Sequence, residues 1–199
     1  MENQTAIIIR KAVANDIDGI MTIEHLSFRS RVTESRKVFE DRIAAFPDGF
    51  LVAVVDRENE RRIVGYISSE LWVLSEDVPY SNFDLGHSVY DTHCDDGEEL
   101  YISSIAVDPT VRGGQIGKKL FVSLLKMVQD KYKLKSAILL VNSDWASAYK
   151  MYQKEGFKTI AKIPDFFPVS ENHNAGNALS GTGIVMRKLL RNEYGSEPW

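Results

Sequence analysis

The chain reads as a mixed α/β (α+β) domain built on one central sheet flanked by helices, and three observations predict it. Short β-rich runs bounded by polar turns recur along its 199 residues. Segments with apolar residues at three- and four-residue spacing fall between them. One strand also runs through a glycine-bearing turn directly into a helix. Together they predict the order βααβββαβαββ.

Thr5 to Arg10 forms the first strand. Asn15 or Asp16 then stands where an N-cap would start a helix carrying Ile17, Ile20, Ile23 and Leu26 inward. A second helix is expected from Glu34 to Phe46, with a stripe of Val38, Phe39, Arg42, Ile43 and Phe46, stopped by Pro47-Asp48-Gly49. Phe50 to Val55 and Ile63 to Trp72 make an antiparallel hairpin across a polar turn, Asp56 to Arg62. Leu74 to Gly97 has no clean period and reads as a long acidic loop, about 74–98. Leu100 to Val107 is a strand closed by Asp108-Pro109. The turn Arg112 to Gly117 then opens a helix burying Leu120, Phe121, Leu124, Leu125 and Val128. Ala137 to Val141 is a short buried strand. Ser143 or Asp144 caps a helix running through Glu155, which Gly156 ends. Lys158 to Ile163 and Thr182 to Lys188 are the last two strands, bracketing a polar loop with Phe166-Phe167-Pro168.

Composition narrows the function. The length suits one domain, 1–199, and a hydrophobic fraction of 44% suffices for a core. A net charge of -4 offers no general attraction for nucleic acid. The start of the chain lacks the basic and apolar regions of a signal peptide, and no apolar run approaches a membrane span, so no membrane association is expected. Cys94 is the only cysteine, which excludes an intrachain disulfide and favours a reducing, cytoplasmic location. His87, Asp91, His93, Cys94 and Asp95 are metal-ligand types, but their spacing matches no compact zinc pattern, and no metal is expected.

The chemistry concentrates in Ile105-Ala106-Val107-Asp108-Pro109-Thr110-Val111-Arg112-Gly113-Gly114-Gln115-Ile116-Gly117-Lys118-Lys119-Leu120. A strand, tight turn and helix start present backbone N–H groups at the positive end of a helix, which suits a diphosphate. Arg112, Lys118 and Lys119 add positive charge. By itself such a turn fits either phosphate binding or a plain structural turn.

This stretch resembles the acyl-CoA signature of the GNAT superfamily of N-acetyltransferases, Arg/Gln-x-x-Gly-x-Gly/Ala, with Arg112 first and Gly117 last. Gln115 departs from the pattern, standing where that family usually has Gly. A side chain is tolerated there if the local φ is negative, with Gly113-Gly114 supplying flexibility. A second stretch, Leu139 to Phe157, is similar to the family's strand, helix and terminal Tyr-x-x-x-Gly-Phe segment. The resemblance extends over about Ile7 to Leu190 and includes Val64-Gly65-Tyr66-Ile67.

The resemblance implies direct attack of an amine on the thioester of acetyl-CoA, the co-substrate, between two parallel strands that splay apart. Backbone groups of Ile105, Ala106 and Val107 would hold the pantetheine, with the Val107 N–H polarising the carbonyl. Arg112, Gly113, Gly114, Gln115, Ile116, Gly117 and Lys118 would cradle the diphosphate. Tyr152 stands at the position of the tyrosine that protonates the departing thiolate, against the alternative of a packed helix residue. Asn142 or the indole N–H of Trp145 would replace a pantetheine hydrogen bond, because Trp145 stands where the family has Asn. Tyr149 either touches CoA or packs. Glu99 is the candidate base, since strand alternation puts Glu99, Tyr101 and Ser103 on one face. The family's common glutamate position holds Leu140.

The acceptor is expected to be a primary amine. Between Arg62 and Arg112 there is no Lys or Arg, while Glu76, Asp77, Asp95, Asp96 and Glu98 fall inside that stretch. Such a field would concentrate a small cationic amine, a polyamine or a basic peptide, or else it belongs to a solvated loop. Phe166-Phe167-Pro168 is either an acceptor wall or a hydrophobic lid. The alternative functions are a non-catalytic acyl-CoA-binding regulatory domain and a transferase of longer acyl groups. A homodimer is possible, dimers being common in the family.

Overall fold

The computed structural model describes residues 6–28, 31–57, 60–111, 115–168 and 181–190. The strands are β1 (Ala6–Lys11), β2 (Phe50–Arg57), β3 (Glu60–Trp72), β4 (Glu99–Val107), β5 (Ser136–Asn142), β6 (Lys158–Ile163) and β7 (Gly183–Leu189). The helices are α1 (Ile17–Ser27), α2 (Arg36–Ala45), the short α3 (Val89–Thr92), α4 (Ile116–Gln129) and α5 (Ala146–Lys154). Apart from α3, which lies inside the segment read as irregular, and short 3-10 turns at Ala14–Asp16, Pro47–Gly49, Tyr80–Phe83 and Pro109–Val111, the order is the predicted one.

Seven strands form one sheet in the order β1-β2-β3-β4-β5-β7-β6. Among the described residues β4 and β5 are its one parallel pair. The amphipathic α4 buries Leu120, Phe121, Leu124, Leu125 and Val128 on one face, against Leu51, Ile67, Leu100, Ile102 and Leu139. On the other face α1 and α2 bring Ile17, Ile20, Ile23 and Phe39 onto Phe50, Val52, Val54, Tyr66 and Ala106. Burying a large apolar side chain contributes roughly 1.5–3 kcal/mol, so these two layers hold the sheet between the helices. A smaller cluster, Trp72, Phe83, Tyr101, Ile138 and Val185, ties the 74–98 segment to the sheet.

Local expectations needed correction at four places. Leu26 lies 54% exposed instead of inward, because α1 ends at Ser27 and its last turn overhangs the core. The Asp16 carboxylate turns back to the Val13 N–H at 2.9 Å and to Arg10 instead of capping α1. Neither Ser143 nor Asp144 caps α5, which starts after Trp145, while the Asn142 side chain accepts the Asp144 N–H at 3.0 Å. The β2–β3 ladder runs on to Arg57↔Glu60, through most of the expected turn.

Candidate active site

The site begins as a defect in the sheet. β4 pairs with β5 from Glu99↔Ser136 to Ile102↔Leu139 and no further. Each strand nevertheless continues, β4 against β3 to Gly65↔Val107 and β5 against β7 to Asn142↔Gly183. The two parallel strands therefore diverge beyond Ile102 and leave a cleft between them. Ser103, Ser104 and Ile105 line one side, and Leu140 and Val141 the other.

The register decides which backbone groups face the cleft. The Asp108 N–H donates to the Val64 carbonyl at 2.9 Å. Counting back along the antiparallel ladder puts Ala106 in a bonded position toward β3, and turns the N–H and C=O of Ile105 and Val107 toward the departed β5. The Val107 carbonyl accepts the Ser27 hydroxyl at 3.4 Å. Among the described residues the Ile105 and Val107 N–H groups thus face the cleft as unpaired strand donors, the kind that a pantetheine amide or a thioester carbonyl would complete. Ala106 instead turns its backbone to β3 and its side chain into the α1–α2 layer.

At the far end of β4 the chain enters α4, whose N-terminus has no side-chain cap. Its first-turn N–H groups are left for an anion. Gln115, just before the helix, adopts φ 57°, the left-handed region, so the negative φ that would let a side chain sit there without cost is not met. The turn imposes the conformation that glycine takes without penalty, which explains why glycine suits this position. Ile116 is buried. A methyl group on Gly117 would make only ordinary contact with Val107, at 3.6 Å. The protein interior does not itself demand glycine at 117; close approach of a ligand from outside would. Lys118 pairs with Glu155 at 3.0 Å beside this helix end. Arg112, Gly113 and Gly114 lie outside the described residues.

From α5, Tyr152, Ala148 and the cap residue Trp145 reach the cleft. Tyr152 is buried against Phe121 and Phe157. Burial holds its phenol well above the ordinary value, and among the described residues its hydroxyl has no hydrogen-bond partner. Trp145 packs between Phe28 and Phe167, each ring 5.4 Å away. Asn142 and Tyr149 are not brought to the cleft wall: Asn142 holds the Asp144 N–H, and the Tyr149 hydroxyl lies 3.3 Å from Thr159 and 3.2 Å from Gln153 on the outer side of α5.

Glu99 stands at the closed end of the strand pair. It is fully buried, accepts the Ser136 hydroxyl at 2.7 Å, and is held by Arg187 at 2.7 Å, away from the cleft lining. A β-bulge between Ser68 and Ser69 breaks strand alternation only after Ser103, so Glu99, Tyr101 and Ser103 share a face and Ser104 joins it. Ser103 bonds Ser68 at 2.7 Å and Ser104 bonds Tyr66 at 3.0 Å, so consecutive serines both address β3 side chains.

Sequence reasoning missed the polar groups on the α1–α2 side. Glu24 and Glu34 both line the cleft. Glu24, only 1% exposed, accepts the Tyr66 hydroxyl and, at 2.8 Å, the Glu34 N–H. Burial raises the Glu24 carboxyl above its usual range, more than its hydrogen bonds and Arg42 lower it. Buried Arg42 joins Glu34 at 3.2 Å to Glu70 at 3.6 Å. Glu24 sits inward on α1 among isoleucines, a pattern that signals a buried carboxylate. The acids thought to steer the substrate lie elsewhere: Glu98 pairs with Lys135 at 2.8 Å, Asp95 lies beside His93, and Glu76 and Asp77 border a separate depression near Arg187. The 74–98 segment gives the cleft Phe83 and Leu85, and Phe167 adds another apolar wall.

Among the described residues no three metal-ligand side chains gather to hold an ion, and no helix is long and apolar enough to cross a membrane. The His87 ring is bonded to Glu70 and the Asp84 carbonyl, and the His93 ring to the Leu71 N–H and Asp95.

A mixed sheet whose one parallel pair splays beside an uncapped helix N-terminus defines an acyl-CoA-dependent acyltransferase class. The model of the acetyltransferase (GNAT) family matches residues 17–157, and the chain belongs to that family. Members of this class use acetyl-CoA as acyl donor to an amine, and this chain is an enzyme of that kind. No curated protein sequence matches it significantly. Solved structures share the fold at low identity. One is the GphF GNAT-like decarboxylase in complex with isobutyryl-CoA, 17% identical, covering 92% of this chain and 100% of that one with a TM-score of 0.70. Another is the ribosomal-protein-S18-alanine N-acetyltransferase from Escherichia coli, 15% identical over 96% of this chain and 100% of that one, TM-score 0.65. A third is Arabidopsis thaliana Naa50 with the bisubstrate analogue CoA-Ac-MVNAL, 18% identical over 92% and 99%, TM-score 0.65.

Proposed function

We propose that this enzyme transfers the acetyl group of acetyl-CoA directly to a primary amine carried on an apolar neighbour, for which a peptide α-amine is the best-fitting class. The observation that supports this reading most is the cleft itself. Its donor side carries the Ile105 and Val107 amides, unpaired among the described residues, and its acceptor side is walled by Phe28, Val32, Phe83, Leu85 and Tyr101, with the Glu24 and Glu34 carboxylates beside them. An apolar wall favours a peptide end with a hydrophobic side chain over a polyamine, whose several charges would be desolvated there.

In this reading the amine approaches from the α1–α2 side and attacks the thioester carbonyl, whose developing negative charge the Val107 N–H receives. Tyr152 donates to the leaving sulfur. Its raised pKa keeps it protonated across neutral and alkaline pH, so a donor is always present. Complete proton transfer to a thiolate of ordinary pKa, about 8.5, is uphill from such a phenol, and Tyr152 acts chiefly as a hydrogen-bond donor.

The test combines calorimetric binding of acetyl-CoA with thiol release against peptides of varied first residue, polyamines, aminoglycosides and free amino acids. Transfer to peptides with an apolar first residue is the expected result. Release only with polyamines would overturn the acceptor class, and binding without any release would make this a non-catalytic acyl-CoA-binding domain.

A further inference from the structure

The geometry points to a built-in proton relay, Ser104 to Tyr66 to Glu24, that carries the proton of the attacking amine from the β4 side of the cleft to the buried carboxylate on its α1–α2 side. The inference rests on the acetyl-transfer reading above and identifies the proton acceptor which that reading leaves open.

Three observations carry it. Ser104 lines the cleft on the opened part of β4, next to Ile105. Its hydroxyl lies 3.0 Å from that of Tyr66, which is fully buried and bonded in turn to Glu24 Oε2. The direction of the chain follows from counting protons. The single hydroxyl proton of Tyr66 is committed to the Glu24 carboxylate, so Tyr66 accepts from Ser104, and the Ser104 oxygen presents its lone pairs to the cleft. Ser104 shares the Tyr66 face through the regular register Ser68↔Ser104 and Tyr66↔Ala106, and the bulge at Ser103 brings that extra serine onto Ser68.

The step balances. The amine nitrogen forms the C–N bond and becomes positively charged. It gives a proton to Ser104 Oγ, Ser104 passes its own to Tyr66 Oη, and Tyr66 passes its own to Glu24 Oε2. The C–S bond breaks and its electron pair leaves with the sulfur. Both hydroxyls end neutral, Glu24 ends as the carboxylic acid, and the path runs backward to solvent once product has left. Glu24 is suited to the end of such a chain, because burial makes it more basic than an exposed carboxylate. Around it, Glu34 reinforces that shift, while Arg42 from α2, Tyr66 from β3 and the Glu34 N–H oppose it. A packing role alone would require no hydroxyl at Ser104, since Tyr66 already has its acceptor in Glu24.

The experiment compares wild type with Ser104→Ala, Ser104→Thr, Tyr66→Phe and Glu24→Gln, using the best peptide acceptor. It measures kcat, both KM values, the pH–rate profile, and rates in mixtures of light and heavy water. The relay predicts a kcat loss on the order of 10- to 100-fold for Ser104→Ala and Tyr66→Phe, with KM for acetyl-CoA unchanged and activity largely kept in Ser104→Thr. It also predicts a curved dependence on deuterium fraction in wild type that becomes linear in Ser104→Ala, and a change in the rising limb of the profile in Glu24→Gln. Should Tyr66→Phe fail to fold, Ser104→Ala removes one oxygen at the cleft wall and carries the test alone. Wild-type rates and unchanged curvature in Ser104→Ala would overturn the relay while leaving acetyl transfer standing. Wild type that acetylates no amine overturns both.

Discussion

His87→Gln is the perturbation that most directly tests the buried charges beneath the acceptor wall. The His87 ring lies with Nε2 2.7 Å from Glu70 Oε1 and Nδ1 2.9 Å from the Asp84 carbonyl. Both partners are acceptors. A neutral imidazole has one N–H and would leave one of them facing a lone pair, so this arrangement calls for the imidazolium. Burial opposes that charge, but the hydrogen bond and attraction of Glu70 outweigh it and raise the His87 pKa despite Arg42 nearby. Burial likewise opposes the Glu70 charge, yet His87, Thr92 and Arg42 hold its carboxyl below the usual value.

The two signs define a window. A raised histidine contributes stability fully below its unfolded value, about 6.5, and loses it as pH rises through the folded value; a lowered glutamate contributes above about 4.3 and loses it in acid. A hydrogen bond to a charged group contributes about 1.5–3 kcal/mol, so wild type should lose about that much as pH rises from about 6.5 through the raised value of His87. His87→Gln, which keeps an N–H donor but never a charge, should be less stable by that amount near pH 6 and differ little once pH has passed that raised value. Urea unfolding followed by tryptophan fluorescence reads this, since the Trp72 ring is 6.5 Å from His87. Hydrogen exchange at the Cys94 N–H, bonded to Leu71, separates global unfolding from local opening of the 74–98 segment. Other carboxylates lower the acid limb in both proteins and cancel in the difference. A gap between the proteins that stays constant across these pH values would refute the imidazolium assignment.

Three further outcomes follow from the site. Tyr152→Phe should reduce kcat on the order of 100-fold with acetyl-CoA binding by calorimetry unchanged, and a full rate would remove Tyr152 from the chemistry. Gln115→Gly should relieve the left-handed backbone at φ 57°, a penalty of about 1–2 kcal/mol, against about 0.5–1 kcal/mol of extra unfolded-state freedom. The net, a gain of roughly 0.5 kcal/mol, is read as a raised denaturation midpoint, and a lowered midpoint would contradict it. Glu99→Gln should cost about 2–3 kcal/mol by breaking the buried pair with Arg187 while leaving the pH–rate profile in place, and a displaced profile would return Glu99 to the proton path.

The fold was legible because its signals are local. The stripe Leu120, Phe121, Leu124, Leu125 and Val128 has one spacing that only a helix satisfies, and the structure buries all five residues. The cleft was legible through a short continuous motif, since Ile105, Val107 and the α4 N-terminus are neighbours in sequence as well as in space. The acceptor side is different in kind. Glu24 meets Tyr66 across 42 positions, and Tyr66 meets Ser104 across 38. No spacing rule connects them, because their meeting depends on the register in which β3 and β4 pair. Alternation correctly turned Glu99 and Tyr101 to one face, but position along the strand decides function here: the pair is still closed at Glu99 and open by Ser104. A carboxylate at the closed end is neutralised by Arg187, whereas one on α1, buried yet lining the cleft, keeps a raised pKa. Which side chains line the cleft is therefore set by where two strands part, a tertiary property with no signature in composition or periodicity.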